Sequence, residues 1–304
     1  MRVVYPSVFT DFSCLAGDCP LTCCIGWSID IDEESLKRYQ SLAGTAGEMV
    51  RGHLVKDEGA YSFTVTSEGR CWFLGRDGLC RMQKELGEDA LCETCRFFPR
   101  ISWNAGSYLQ FSMDLACPEA CRMAFTRPLA FLEDEQEGET PLHREETREL
   151  SAVLERRGRL VAALRRPSTV RRIVTDGKED ARLAGIVADC TRKSRVDFLT
   201  PARVRQLHRI SASYWQSHEE QLEPWFATLG SLLLFRYGCM AWYGTPWGRI
   251  VRFVRRAMRM TYLLLLHQMR DAEVLDVDAM VAASVLFARR IEHVEKNLQL
   301  LITG

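Results

Sequence analysis

Ten of the twelve cysteines lie before residue 122, in groups with short spacings: Cys14, Cys19, Cys23 and Cys24, then Cys71 and Cys80, Cys92 and Cys95, Cys117 and Cys121. Thiols gathered this closely become disulfides, metal ligands or redox centres, and the cellular compartment largely selects among these. The chain opens MRVVYPSVFTDF, with no apolar run of signal-peptide length, and no lipoprotein-like segment precedes Cys14. Its longest apolar stretches, such as Tyr262 to Leu266 and Ser231 to Phe235, fall far short of the roughly 20 residues that cross a bilayer. The expectation is a cytoplasmic protein with no membrane partner. In that reducing setting the thiols are expected to hold metal.

Forty basic residues balance forty acidic ones, so no overall field draws the chain to nucleic acid or to anionic lipid. A length of 304 residues suits about two domains. We expect a mainly α fold: a cysteine-rich metal-binding domain with minor β over 1–130, an acidic linker over 131–145, and a helical domain over 146–304. The linker expectation rests on Glu133, Asp134, Glu135, Glu137, Gly138 and Glu139, which end near Pro141. Apolar residues recur at helical spacing over 145–164, 178–190, 201–219, 221–242, 247–269 and 277–302. In the first domain Asp32 can cap a helix through Leu36, Tyr39 and Leu42, residues 81–86 are helix-like, and Tyr61 to Thr66 alternates as a short strand.

Adjacent Cys23 and Cys24 cannot easily bond to each other, but at a tight turn, which Gly26 favours, they can ligate one metal or serve two. Cys92-Glu-Thr-Cys95 is a common half-site for zinc or iron–sulfur, with thioredoxin-like redox chemistry as the competing use. The strand–helix–strand context of that redox fold is missing. His53 is the one histidine in this region, so sulfur-only ligation is expected, and spacing alone leaves zinc and iron–sulfur both open. The radical S-adenosylmethionine spacing is absent: Cys19 and Cys23 match its first gap, and Gly26 stands at its last position.

These residues carry a resemblance. Phe12-Ser-Cys14 through Cys19 to Thr22-Cys23-Cys24-Ile-Gly-Trp27-Ser-Ile-Asp-Ile-Asp32, then Cys71-Trp-Phe-Leu74, Asp77-Gly-Leu-Cys80, Leu86-Gly-Glu88, Thr94-Cys95-Arg96 with Pro99-Arg100, and Cys117-Pro-Glu-Ala120 resemble flagellin lysine-N-methylase. That family sits in a wider group of zinc- or iron-chelating proteins with a CxxCxxCC signature, from which this chain departs by gaps of four and three before its Cys-Cys pair. The resemblance covers about the first 122 residues. It implies an S-adenosylmethionine-dependent methyltransferase acting on lysines of flagellin, with a [4Fe-4S] cluster. It also places Cys14, Cys19, Cys23, Cys24, Cys71, Cys80, Cys95 and Cys117 at the family's cysteine positions, with Cys92 and Cys121 additional. Eight thiols exceed one cluster's four ligands.

Methyl transfer needs a neutral amine, whereas free lysine, with a reference pKa of about 10.4, is an ammonium at neutral pH. Asp30, Asp32 and Glu88 are candidates to take the proton, but none is singled out by spacing, and Asp32 reads more readily as a helix cap and Glu88 as a solvated turn residue. No residue is singled out as catalytic or as binding the methyl donor. Trp27 could stack on a sulfonium or simply pack in the core. No glycine-rich nucleotide loop follows a strand. Arg249, Arg252, Arg256 and Arg259 share one helix face, and with Arg156, Arg157, Arg159, Arg165 and Arg166 they read as solvated positions. Cys190 and Cys239 read as isolated, buried thiols. The alternatives to the methyltransferase are a non-catalytic zinc- or iron-binding protein and an interaction module stapled by zinc.

Overall fold

The computed structural model describes all residues but 27, 58, 138–141, 167, 192–199, 270–273 and 304, and the backbone alone at 187–191. Two units divide the chain. Ser13–Ile101 with Cys117–Glu119 form a cysteine-rich unit, and Met1–Phe12, Ser102–Ala116 and Ala120–Gly304 form a helical one. All eight cysteines carried over from the family fall in the first unit, while Cys121 belongs to the second. No helix among the described residues is long and apolar enough to cross a membrane.

The chain opens with β1 (Arg2–Pro6), a strand of the helical unit. The cysteine-rich unit then carries β2 (Asp30–Ile31), α1 (Glu33–Ser41), α2 (Gly44–Arg51), β3 (Leu54–Asp57), β4 (Ala60–Phe63), α3 (Arg81–Leu86) and α4 (Glu93–Phe97). Asp32 caps α1 as its position suggests: its Oδ1 accepts the Ser35 N–H at 2.8 Å. The three strands pair antiparallel in the order β2-β4-β3, with Asp30 opposite Ser62 and Leu54 opposite Phe63. The alternation read over 61–66 continues past β4 only as a single bridge between Val65 and Cys71. Tyr39, Val50, Phe63, Phe73 and Met82 are buried together with Cys71 and Cys92. Phe63 and Phe73 meet edge to face at 5.1 Å, a geometry worth about 1 kcal/mol beyond the area it buries. The buried Tyr39 hydroxyl donates to the Ala90 carbonyl at 2.7 Å.

The helical unit continues with β5 (Arg100–Ala105), β6 (Tyr108–Met113), α5 (Pro118–Thr126) and β7 (Phe131–Glu135), the first residues of β5 and α5 belonging to the other unit. Its sheet runs β5-β6-β1-β7, with β1 parallel to β6 and antiparallel to β7. The acidic run expected as a linker is therefore partly an edge strand. Arg2 pairs with Glu133 at 2.5 Å and the Tyr5 hydroxyl donates to Asp134 at 2.5 Å, so the acidic side chains find partners on β1 while the outer edge stays charged and resists further pairing. Gly138 to Pro141, the rest of that run, lie outside the described residues.

The helices follow the apolar periodicity closely: α6 (Arg144–Leu164), α7 (Thr169–Thr175), α8 (Asp180–Thr191), α9 (Pro201–Ser217), α10 (Glu219–Tyr237), α11 (Trp247–Gln268), α12 (Val277–Phe287) and α13 (Glu295–Thr303). Only α7 has no counterpart in the spacing, and the expected 277–302 helix is broken by a π-helical turn at Ala288–Glu292. The centre of the unit is α11, which packs against α7, α9, α10, α12 and α13 and is buried continuously from Arg256 to Leu266. Trp215, Phe226 and Tyr262 form a buried aromatic group there, and the Tyr262 hydroxyl donates to the Ser211 carbonyl at 2.6 Å.

Candidate functional site

Backbone pairing gathers the thiols of the cysteine-rich unit. Gly26, at φ +102°, turns the chain directly after Cys23 and Cys24, a conformation that costs glycine little. The returning segment then bridges Ile25 to Arg70, and the Cys71 N–H donates to the Cys24 carbonyl at 2.7 Å. A second bridge, Leu74 to Cys80, brings Cys80 back to the start of α3, where it is the N-cap residue. Cys92 occupies the same position on α4 and Cys95 lies one turn inside it, so the Cys-x-x-Cys pair sits on a helix N-terminus. Cys71, Cys92 and Cys117 are buried, Cys14 is exposed, and Cys19, Cys23, Cys24, Cys80 and Cys95 lie between.

The ionisation of these thiols reports which of them are neighbours. Cys23 is pushed up by its hydrogen bond with Cys24, by burial and by the nearby Cys24, Cys14 and Cys117. Cys95 is pushed well up by its hydrogen bond with Cys92, by burial and by Cys92, Cys24 and Cys23, while the same hydrogen bond brings Cys92 down. Burial, then Cys24, Cys80 and Cys92, raise Cys71 to about 12, and burial with Cys24 and Cys92 raises Cys80. Cys24 thus stands within electrostatic reach of Cys23, Cys71, Cys80 and Cys95. Cys92, outside the family's cysteine positions, belongs to the same gathering.

Among the described residues, no three His, Cys, Asp or Glu side chains are arranged to hold a metal ion. Thiols must release their protons to ligate a metal, so binding is coupled to proton release. In donor chemistry the set fits: every candidate is sulfur, as zinc or an iron–sulfur cluster requires. His53 is placed elsewhere. Its ring stacks on Trp72 at 3.3 Å, while the Arg81 guanidinium sits 3.9 Å from the same ring centroid. Two groups that close must cover opposite faces, so Trp72 has no open face for a sulfonium or a lysine. Trp27 lies outside the described residues.

Of the three candidate bases, Asp32 is occupied. Burial pushes its carboxyl up, but the Glu93 and Ser35 amides outweigh this and hold it below its ordinary value, which makes it a weak base. The Asp30 carbonyl accepts the Thr94 hydroxyl at 3.0 Å, and Glu88 sits exposed in a turn before α4.

In the helical unit the arginines depart from expectation. Arg249 and Arg252 are exposed, whereas Arg256 and Arg259 are each 3 % exposed. Arg256 pairs with Glu179, and Arg259 holds Asp180 bidentately at 2.9 and 2.7 Å. Arg157 is buried as well: it pairs with Gln110, donates to the Tyr108 hydroxyl at 2.9 Å, and lies 4.5 Å over the Phe235 ring. A solvated reading fails at these positions because acceptors distant in sequence meet each guanidinium. Cys239 is partly exposed rather than buried, with its thiol donating to the Arg236 carbonyl at 3.0 Å. The Cys190 side chain lies outside the described residues.

No family model and no solved structure matches the chain. Among curated proteins it is 32 % identical over 134 residues to the flagellar biosynthetic protein FliU of Salmonella muenchen, spanning 79 % of that protein and 42 % of itself. The chain belongs to the FliU family. It is also 33 % identical over 134 residues to proteins named lysine-N-methylase from Salmonella choleraesuis and Salmonella typhimurium. Of those two longer relatives it spans about a third, 33 % of each length, and the match again covers 42 % of this chain.

Proposed function

We propose that this FliU relative is a protein-lysine N-methyltransferase that acts on flagellin, uses S-adenosylmethionine and carries a [4Fe-4S] cluster. The observation that carries the reading is the similarity to proteins named lysine-N-methylase, together with a unit in which distant cysteines converge on Cys24. Cys23, Cys24, Cys92 and Cys95, whose thiols hydrogen-bond as two pairs near one another, are the residues assigned to the cluster. Cys71 and Cys80 adjoin them and Cys14 and Cys117 lie near Cys23; these, with the half-buried Cys19, are assigned to a second metal position or to structural thiols. A bound cluster would supply one-electron chemistry.

The polypeptide's own part is to present the thiols and to receive a lysine side chain as a neutral amine. Asp32 is committed to helix caps, which leaves Asp30 and Glu88 as the remaining candidate carboxylates to be tested for taking up the proton. The second reading, a non-catalytic zinc- or iron-binding protein, draws on the same all-sulfur donor set.

The deciding experiment is anaerobic purification with iron, zinc and acid-labile sulfide analysis, a visible spectrum, and transfer of labelled methyl from S-adenosylmethionine to purified flagellin. About four irons and four sulfides per chain with label on flagellin lysines is the expected result. Stoichiometric zinc without sulfide, or an intact cluster with no methyl transfer, overturns the reading in favour of a metal-binding protein.

A further inference from the structure

The α11 arginines frame a cavity of about 380 Å³ within the helical unit, closed on its other side by α7 and the turn into α8. Arg256 and Arg259 line it with their charge neutralised by Glu179 and Asp180, so those buried guanidiniums need no further anion. Arg255 reaches Asp176 at 3.5 Å. Arg252 and Lys178, both exposed and both lining the cavity, have no carboxylate partner among the described residues. Five cations thus face three carboxylates, which leaves an excess of two positive charges around one opening.

That arrangement carries a standing cost. Arg252 stands three and four residues from Arg255 and Arg256, spacings at which like charges on a helix repel. The buried pairs explain Arg256 and Arg259 structurally but leave Arg252 and Lys178 unexplained. Guanidinium forks and an ammonium converging on one opening match the oxygens of a phosphate or a pair of carboxylates. The volume suits a small molecule, and Ile173, Leu183 and Val251 offer it an apolar wall.

We propose that this cavity is a binding site for a small organic dianion, a phosphate ester or a dicarboxylate, held by Arg252, Lys178 and Arg255. It is not a place for the methyl donor or for lysine, since each carries net positive charge and the excess here is positive. The site is independent of the thiols and of any methyl transfer.

The test uses the full chain in anion-poor buffer, titrated calorimetrically with inorganic pyrophosphate, inorganic phosphate, succinate and citrate, with sodium chloride matching ionic strength. Saturable binding of at least one probe is expected, at least tenfold weaker in the Arg252→Ala/Lys178→Ala double variant. The unfolding midpoint of that variant without anion should be unchanged or raised, because both side chains are exposed and repelled. Tighter binding of the phosphates assigns a phosphate ester, and tighter binding of succinate or citrate assigns a dicarboxylate. The proposal is overturned by no saturable binding up to about 10 mM of any probe, by stabilisation that sodium chloride reproduces, or by equal binding in the double variant.

Discussion

Asp32 receives the backbone N–H of Glu93 on its Oδ2 at 2.9 Å, across 61 positions of sequence, while its Oδ1 caps α1 through Ser35. One carboxylate therefore closes the N-termini of two helices, one of which, α4, presents Cys92 and Cys95. Removal of a single N-cap acceptor typically costs about 1 kcal/mol, so Asp32→Ala is expected to cost about 2 kcal/mol and Asp32→Asn less. Because the two amides hold this carboxyl below its ordinary value, its contribution is present above the unfolded pKa of about 3.9 and is lost as pH falls through the lower folded value. Urea denaturation at pH 7 and at pH 3 checks both points: the gap between wild type and Asp32→Ala should narrow at the lower pH.

Cys92 is the second test. Its hydrogen-bonded pairing with Cys95 predicts that Cys92→Ser lowers iron and sulfide content as severely as Cys95→Ser after anaerobic reconstitution. Cys121→Ser should leave metal content unchanged, since that thiol is fully buried in the helical unit and donates to the Leu115 carbonyl at 3.0 Å. Full loading of the Cys92 variant would remove it from the cluster set.

Local signals were readable and distant pairings were not. The cap at Asp32, the α3 helix and the long helices of the second unit follow from spacing and capping within a few turns, and they stand where the pattern puts them. The role of 131–135 depends on Arg2 and Tyr5, more than 120 residues away, and nothing local distinguishes an acidic edge strand from an acidic linker. The same holds for Arg256 and Arg259, whose burial is set by Glu179 and Asp180. Cys92 carries a local signal, since its two-residue spacing from Cys95 reads as a half-site from the sequence alone, although it lies outside the family's cysteine positions.

Gly47 tests the packing of α2. A Cβ added there would lie 1.8 Å from the Leu42 carbonyl oxygen and 2.6 Å from its carbon, and both are backbone atoms that cannot rotate away. Arg51 fixes that carbonyl further by donating to it at 2.5 Å. Gly47→Ala should therefore destabilise the cysteine-rich unit by about 3 kcal/mol, the upper range for overpacking, although alanine is the better helix former. Gly44→Ala, at φ +71° with open space around it, should cost about 1 kcal/mol from backbone strain alone. Thermal unfolding of the two variants ranks them, and equal midpoints would remove the steric argument.

The last prediction concerns the buried charges that close the helical unit. The Asp114 carboxylate accepts the Ala116 N–H at 2.8 Å and the His293 Nε2–H at 2.9 Å, and Arg236 lies 3.3 Å from it and 3.5 Å from Glu292. Burial pushes Asp114 up, but Arg236 and then His293 more than offset this and hold it at about 2. Glu292 moves the other way: burial dominates the opposing pull of Arg236 and raises it. The two acids therefore divide their roles, with Asp114 the main charge partner of Arg236 and Glu292 the acceptor of the Tyr237 hydroxyl at 2.7 Å. Since Asp114 is depressed, its stabilisation is complete above the unfolded value near 3.9 and disappears as pH falls toward about 2. Asp114→Asn keeps the shape but leaves Arg236 buried without its main counter-charge, so it should lose about 3 kcal/mol at pH 7. The loss should shrink steadily below about pH 4, where the unfolded wild-type chain takes up a proton at this group and the folded protein does not yet do so. Glu292→Gln keeps an acceptor for the Tyr237 hydroxyl and removes a carboxyl whose charged form burial already disfavours, so it should cost about 1 kcal/mol or less. Urea unfolding of the three proteins between about pH 2.5 and 7, a range that reaches well into the interval between the unfolded and folded values of Asp114, separates these outcomes, and a pH-independent deficit in Asp114→Asn would show that packing rather than charge holds this corner together.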